Sequence, residues 1–188
     1  MKTLKEIEDY ATSNFVPIAR KDFVEYLKKL IIENQYHEVL EIGSAIGYTA
    51  INLALLNDVY VTTIEHNYER YKIALENIQD FKLENKIKII NDDANEVFLS
   101  LKYDVIFIDA AKAKNQIFFD KFSNNLNENG IIIIDNMNLI DFQKHVSPKK
   151  ASFYLNINKN LKRYLNSLTN YSVTYLDVGD GIALIKKK

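Results

Sequence analysis

The sequence predicts an α/β protein in which helices cover a mostly parallel, seven-stranded sheet. Short apolar runs rich in Val and Ile alternate with amphipathic segments along most of the chain. Runs of this kind are typical of strands that are buried on both faces of a parallel sheet. Regular alternation of such strands with helices is the pattern of a doubly wound sheet.

Each element follows from a local pattern. Residues 1–34 predict a helical extension of two helices, broken around Asn14 to Pro17. Five apolar runs then predict strands at 39–42, 59–65, 87–90, 103–109 and 130–135. The segment ERYKIALENIQDF, after the second strand, carries apolar residues at helical spacing. The final segments YSVTYLDV and IALIKK flank a Gly-Asp-Gly turn and predict an antiparallel hairpin. No repeat or linker divides the chain, so we expect one domain over residues 1–188.

Composition excludes several classes of protein. The 188 residues include 24 Lys and Arg against 25 Asp and Glu, which excludes a generally basic nucleic-acid coat. The absence of cysteine excludes disulfides, thiolate zinc sites and a cysteine nucleophile. The three histidines, His37, His66 and His145, follow no metal-ligand spacing. The N-terminus has no apolar core of a signal peptide, and no apolar run could span a bilayer. We therefore expect a cytoplasmic protein without a membrane partner.

A glycine turn after the first strand is the predicted seat of a cofactor. The strand runs into EIGSAIGYT, which contains Gly43 and Gly47. Ligands of open α/β sheets bind at the carboxyl ends of the strands, and glycine lets them approach the backbone closely. The spacing differs from the G-x-G-x-x-G of dinucleotide-binding proteins, which disfavours a nicotinamide-dependent oxidoreductase. A purely structural glycine turn is the alternative here.

The next two strands also end in carboxylates. Glu65 ends the second strand, where an acidic residue accepts hydrogen bonds from ribose hydroxyls. Asp93 follows the third strand, just before the small Ala94, and is the candidate for binding an adenine amino group. The alternatives are a solvated loop carboxylate for Glu65 and a helix cap for Asp92. Together these strand ends predict an adenosine cofactor without a pyrophosphate cradle, which indicates S-adenosylmethionine (SAM).

Strands four and five carry the more specific pattern. Asp109 follows the fourth strand, and Asp135 and Asn136 follow the fifth. Two carboxylates and an amide oxygen at one rim are ligands that suit Mg²⁺. Lys112 lies one turn beyond Asp109 and is the candidate general base for a substrate hydroxyl. The alternative is that both aspartates only cap helices.

These motifs resemble those of a known family. VLEIGSAIGYTAI, TIEHN, DDA, YDVIFIDAAK and IIIIDNM resemble the successive motifs of the metal-dependent O-methyltransferases, which include the catechol and caffeoyl-CoA enzymes. The resemblance covers about residues 10–188 and implies a Rossmann-like class I methyltransferase fold. DYATSNFVPIAR and the later SPKK are most similar to the members that methylate 5-hydroxyuridine in bacterial tRNA.

The resemblance implies a role for individual residues. Asp109, Asp135 and Asn136 would bind the metal, with Asp109 also near the cofactor, and Lys112 would be the base. It also implies a homodimer. The remaining residues implied to line the SAM site are Ala19, Gly43, Tyr48, Thr49, Glu65, Asp93 and Ala94. The family's usual Gly-Asp-Ala, Thr-Gly and Val are replaced by Asp92-Asp93-Ala94, Ser44-Ala45 and Met137, and none of these changes removes a metal ligand.

The acceptor is suggested by one segment without acidic residues. No Asp or Glu occurs from Phe142 to Tyr175, although aromatic residues and six basic ones do. Cations beside aromatics suit phosphates and unstacked bases of RNA. The basic residues are Lys144, Lys149, Lys150, Lys159, Lys162 and Arg163, of which Lys149, Lys150, Lys162 and Arg163 are the RNA-binding candidates.

The predicted partner is therefore a tRNA anticodon loop. The 5-hydroxyl and 4-carbonyl of 5-hydroxyuridine present two vicinal oxygens, as a catechol does, so one divalent cation can chelate both. Three alternatives stay open: a small catechol-like or CoA-linked phenolic acceptor, a non-catalytic RNA-binding module, and a lysine-rich helix that is only solvated.

Overall fold

The computed structural model describes residues 2–138 and 146–188. Phe142, Lys144 and His145, which the sequence analysis names, lie outside these residues. Within the described part of the chain, no helix is both long enough and apolar enough to cross a membrane.

One sheet organises the molecule. Its strands in chain order are β1 (Glu38–Ile42), β2 (Tyr60–Glu65), β3 (Ile87–Asn91), β4 (Tyr103–Ile108), β5 (Leu126–Ile134), β6 (Tyr171–Leu176) and β7 (Ile182–Lys187). They lie in the order β3-β2-β1-β4-β5-β7-β6. The first five strands pair in parallel, and β7 is antiparallel to both β5 and β6. The predicted sheet, with its C-terminal antiparallel hairpin, is confirmed.

Six α-helices occur among the described residues: α1 (Leu4–Ser13), α2 (Lys21–Asn34), α3 (Tyr48–Ala54), α4 (Tyr68–Asp80), α5 (Asn115–Phe122) and α6 (Pro148–Ser167). The first two form the predicted extension, and α1 begins with a capping box between Thr3 and Glu6. At the start of α6 the Ser147 hydroxyl accepts a hydrogen bond from the Lys150 amide, and proline follows the cap.

The segment between β3 and β4 departs from the predicted alternation, because the chain there forms turns and no α-helix. Backbone carbonyls of this segment accept hydrogen bonds from side chains in and just after α5. Lys121 donates to the Asn95 carbonyl, and Asn125 donates to the carbonyls of Leu99 and Leu101, at 2.9 and 2.8 Å. The proposed helix-capping role of Asp92 is therefore wrong, since no α-helix follows it.

Buried side chains on the two faces of the sheet form two apolar cores. Val39 and Phe107 point into the core that α1 and α2 cover, where Phe23 lies 4.8 Å from Phe107 between ring centroids. Leu40 and Ile106, one residue along each strand, belong to the core beneath α5 and α6. Adjacent residues on opposite faces are both fully buried, which is why the strands are apolar without alternation.

The order and direction of the strands determine where a binding crevice opens. From β1 the chain continues through β2 to β3 at one edge of the sheet, and it then returns to form β4 on the other side of β1. At such a switch point the loops diverge and open a crevice at the carboxyl ends of the strands.

Candidate active site

A cavity of about 530 Å³ opens at the carboxyl ends of the parallel strands. This volume falls in the range of small-molecule sites. The structure brings together every residue predicted to serve the cofactor, the metal or the proton transfer, and their individual roles stay predictions. The lining includes Ala19, Gly43, Tyr48, Thr49, Glu65, Asp93, Ala94, Asp109, Lys112, Asp135 and Asn136.

The glycine turn is in direct contact with the strand that carries Asp109. Gly43 has φ of 104°, and a Cβ added there would lie 2.2 Å from the Asp109 carbonyl oxygen. No side chain fits in that space, so the position requires glycine for both its conformation and its clearance. The Gly43 amide also donates to the Ile64 carbonyl at 2.9 Å. The turn is thereby held between β2 and β4, with its backbone facing the cavity.

A buried network of polar side chains packs against this turn. Its members were not among the predicted site residues. Thr63 donates to the Glu41 carboxyl and bonds the Ser44 hydroxyl, both at 2.5 Å. Burial raises the pKa of Glu41 to about 8. A carboxyl that keeps its proton at neutral pH adds no further negative charge beside Glu65 and Asp109.

Glu65 is held rigidly with its carboxylate at the cavity wall. Its two oxygens accept hydrogen bonds from the amides of Ala45, at 2.9 Å, and Asn67, at 2.8 Å. The residue is only 4% exposed, so the alternative of a solvated loop carboxylate is wrong. A fixed, buried acceptor of this kind suits a pair of ribose hydroxyls.

We expect Glu65→Ala to weaken SAM binding by about tenfold or more, because charge-assisted hydrogen bonds contribute about 1.5–3 kcal/mol. Isothermal titration calorimetry with SAM measures the change. Glu69→Ala, an exposed acid on the first turn of α4, is the matched control and should bind SAM as the wild type does. A Glu65→Ala protein with wild-type affinity would contradict the assigned role.

Asp93 meets the cavity from the end of β3 and is also well fixed. It accepts hydrogen bonds from the Asn95 amide, at 2.9 Å, and from Lys114, at 3.0 Å. The Asn95 amide and then the Lys114 ammonium lower the pKa of Asp93. Lys114 thus helps to orient the carboxylate, and sequence patterns alone did not identify it.

The three predicted metal ligands, Asp109, Asp135 and Asn136, meet at one rim of the cavity because β4 and β5 pair in register. This group of residues is called the metal rim below. Ile108 lies opposite Ile134, which makes Asp109 and Asp135 neighbours just beyond the strands. The Asn136 amide N–H donates to Asp135 at 2.6 Å, and the Asn136 side chain reaches Asp109 at 3.3 Å. Asn136 has φ of 63°, a left-handed conformation that asparagine tolerates.

The rim fits a divalent cation by its charge. Burial raises the pKa of both Asp109 and Asp135, and the negative charge of Asp109 raises that of Asp135 further. A cation between the two carboxylates would remove this cost of ionising them. The described residues hold no cluster of three or more His, Asp or Glu placed to bind a metal. In this structure the amide nitrogen of Asn136 faces Asp109, so Asn136 would supply an oxygen ligand only with its carboxamide turned by 180°, and water or substrate would complete the site.

Lys112 begins a short 3₁₀ turn, Lys112–Lys114, three residues after Asp109. It lines the main cavity and also a smaller one beneath α6. The turn contacts α6, which fixes the lysine between the metal rim and the helix. Lys112 thus lines the same cavity as Asp109, Asp135 and Asn136, and its role as a general base stays a prediction.

Two charged residues at the cavity mouth were missed by sequence reasoning. Arg20, beside Ala19, lies 3.5 Å from Asp180 in the turn between β6 and β7. The same turn accepts hydrogen bonds from the amides of Met137, at 2.7 Å, and Asn138, at 2.8 Å. The signal in the sequence was the Gly-Asp-Gly turn, which was interpreted only as hairpin geometry.

The basic candidates for RNA binding lie outside this cavity. Lys149 and Lys150 are exposed on the first turn of α6. Lys162 and Arg163 line a second, open cleft between α6 and the hairpin. The structure thus brings Lys162 and Arg163 together and leaves Lys149 and Lys150 apart from them.

The sequence profile of the O-methyltransferase family matches residues 1–188, and the chain belongs to that family. With this fold and cavity, it is a SAM-dependent O-methyltransferase of the caffeoyl-CoA O-methyltransferase type.

Individual relatives agree with this class. A caffeoyl-CoA O-methyltransferase of Populus kitakamiensis is 26% identical, over 98% of this chain and 86% of its own. A crystal structure from Staphylococcus aureus, provisionally identified as a caffeoyl-CoA O-methyltransferase, has a TM-score of 0.90 at 30% identity and covers 100% and 93% of the two chains. The Bacillus cereus O-methyltransferase, solved with SAH, has the same fold, with a TM-score of 0.81 at 22% identity over 100% and 92%.

Proposed function

We propose that this chain methylates the 5-hydroxyl of 5-hydroxyuridine at the wobble position of tRNA, using SAM and a divalent cation such as Mg²⁺. The observation that carries the proposal is α6. This helix has no acidic residue, exposes Lys149, Lys150 and Arg163, and reaches the metal rim through a contact of Asn158 with Asn136. Positive charge beside the acceptor position favours a polyanionic substrate.

Different residues of the cavity are assigned to the cofactor, to the cation and to the proton of the acceptor. Glu65 and Asp93 would hold the ribose and adenine of the cofactor, and Asp109, Asp135 and Asn136 would supply oxygen ligands to the cation. When bound, SAM supplies an electrophilic methyl group and the divalent cation acts as a Lewis acid on the acceptor hydroxyl. Lys112, in its neutral amine form, would take the proton of the acceptor hydroxyl and leave the acceptor oxygen free to attack the methyl group. Transfer of the methyl group to the acceptor oxygen would release S-adenosylhomocysteine.

A small phenolic acceptor is the second candidate, because the named relatives include caffeoyl-CoA O-methyltransferases. The deciding experiment incubates the enzyme with SAM, Mg²⁺ and either tRNA containing 5-hydroxyuridine or caffeoyl-CoA. Mass spectrometry of digested nucleosides should detect 5-methoxyuridine. Methylation of caffeoyl-CoA alone would replace the tRNA proposal, and transfer to neither acceptor would overturn it.

We further expect the Lys149→Ala/Lys150→Ala protein to bind tRNA more weakly and with a flatter salt dependence. Each lost phosphate contact lowers the log–log salt slope by about 0.7–0.9. Filter-binding titrations at several salt concentrations measure both quantities. Affinity for SAM, whose residues lie in the main cavity, should not change. Slopes and affinities equal to those of the wild type would show that these lysines form only a solvated helix face.

A further inference from the structure

A second cleft, of about 710 Å³, lies between α6 and the β6–β7 hairpin. Among the described residues it shares no lining residue with the main cavity, although different residues just after β5 line each of them. Its volume falls within the range of small-molecule binding sites. The family resemblance assigns it no role.

The wall formed by α6 is cationic. Lys159, Lys162 and Arg163 line the cleft at spacings of three and four residues, which places them on one side of the helix. Among the described residues that line the cleft, one is a carboxylate, Asp177. Three cations against one anion give the cleft a preference for anionic ligands.

The opposite wall holds one of these cations in place. The Lys162 ammonium lies 5.3 Å from the centre of the Tyr175 ring, in cation–π contact. The Tyr175 hydroxyl donates to the Asn166 side chain at 3.1 Å, which ties β6 to α6. The cationic group is therefore positioned before any ligand binds.

The cleft is joined to the metal rim by Asn158. This residue lines the cleft, and its Nδ2 atom donates to the backbone carbonyl of Asn136 at 3.0 Å. Met137 and Asn138, the next two residues after Asn136, also line the cleft. The cleft and the rim are thus linked through Asn158 and the residues that follow Asn136.

We propose that this cleft binds a phosphodiester of the nucleotide next to the acceptor nucleoside. The inference rests on the proposed function in taking the acceptor as part of a polyribonucleotide. Arg163 and Lys159 bind the phosphate oxygens, and the neighbouring nucleoside occupies the remaining volume. The cleft thereby distinguishes an acceptor within a chain from the free nucleoside.

The test compares uridylyl-(3′→5′)-uridine, which has one phosphodiester, with uridine, which has none. The two are titrated into the protein and followed by NMR shifts of amides that line the cleft. The variant is Lys159→Gln/Arg163→Gln, which leaves Lys162 and its contact with Tyr175 intact. The matched control is Lys28→Gln/Lys29→Gln on α2, which removes the same charge on the other face of the sheet.

We expect the wild type to bind the dinucleotide at least about tenfold more tightly than uridine, since a hydrogen bond to a charged group contributes about that factor. The cleft variant should lose this difference and the control should keep it, with unchanged S-adenosylhomocysteine affinity in both. Equal weakening by both variants, or no preference for the dinucleotide, would overturn the proposal. Cleft-dependent binding of free coenzyme A without binding of the dinucleotide would also overturn it.

Failure of the proposed function gives a different result. If tRNA is not methylated but the dinucleotide still binds in a manner that depends on Lys159 and Arg163, the cleft assignment stands and the wobble-base assignment fails. If tRNA is methylated and the cleft variant binds the dinucleotide as the wild type does, the cleft assignment alone fails.

Discussion

Asp135→Ala should lower the rate of methyl transfer by about a thousandfold or more. The two carboxylates at the rim, with Asn136, are the oxygen ligands that could hold a divalent cation near Lys112. Removing one charged ligand should empty the site, and a Lewis acid contributes several kcal/mol to the transition state. Because 1.36 kcal/mol corresponds to a factor of ten in rate, a loss of this size is expected.

The variant should nevertheless fold. Burial and the charge of Asp109 raise the pKa of Asp135, so its ionised form destabilises the metal-free protein and alanine removes that cost. In the absence of metal, the loss of this charge should therefore not lower the melting temperature of the variant. The stabilisation that Mn²⁺ gives the wild type in thermal melts should disappear, while Asp80→Ala, an exposed acid at the end of α4, should retain it. Full wild-type activity in excess EDTA would contradict a metal-dependent mechanism.

Most of the site could be predicted because parallel strands impose it. Once β1 to β5 are recognised from their Val/Ile runs, Gly43, Glu65, Asp93, Asp109 and Asp135 must meet at one edge of the sheet. That conclusion requires only the direction of the strands, and it does not depend on the details of side-chain packing. The hairpin was predicted separately, from its Gly-Asp-Gly turn, and Gly179 and Gly181 have positive φ in the structure.

The contacts that sequence reasoning missed depend on how helices and loops dock on the sheet. Arg20 meets Asp180 across nearly the whole length of the chain, and Asn158 reaches Asn136 from the middle of α6. Helical periodicity identifies a buried face but does not say which polar residue at its margin will meet a neighbour. The early start of β5 was missed because Asn127, Glu128 and Asn129 are typical of a turn, whereas Leu126 pairs with Tyr103 across an irregularity in register.

The lysines of the 3₁₀ turn offer a matched pair for separating chemistry from cofactor binding. Lys112 lies beside the rim, whereas Lys114, two residues later, bonds Asp93 at 3.0 Å. Both line the same cavity, so either substitution to methionine removes one positive charge from it. Any effect of the lost charge alone should therefore be common to the two variants. Their expected effects differ because their partners differ.

Lys112→Met should lower kcat by about a hundredfold to ten-thousandfold, which is the contribution of a positioned general base. The affinity for SAM should stay near that of the wild type, because the substitution leaves Glu65 and Asp93 in place. Lys114→Met should show the reverse pattern, with weaker SAM binding through a less well oriented Asp93 and a smaller effect on kcat at saturating SAM. Steady-state kinetics at saturating acceptor, together with calorimetric titration of SAM, measure both quantities. If Lys112→Met kept more than about a tenth of the wild-type kcat, the acceptor proton would have to leave by another route, and Lys112 would be only a cation at the rim.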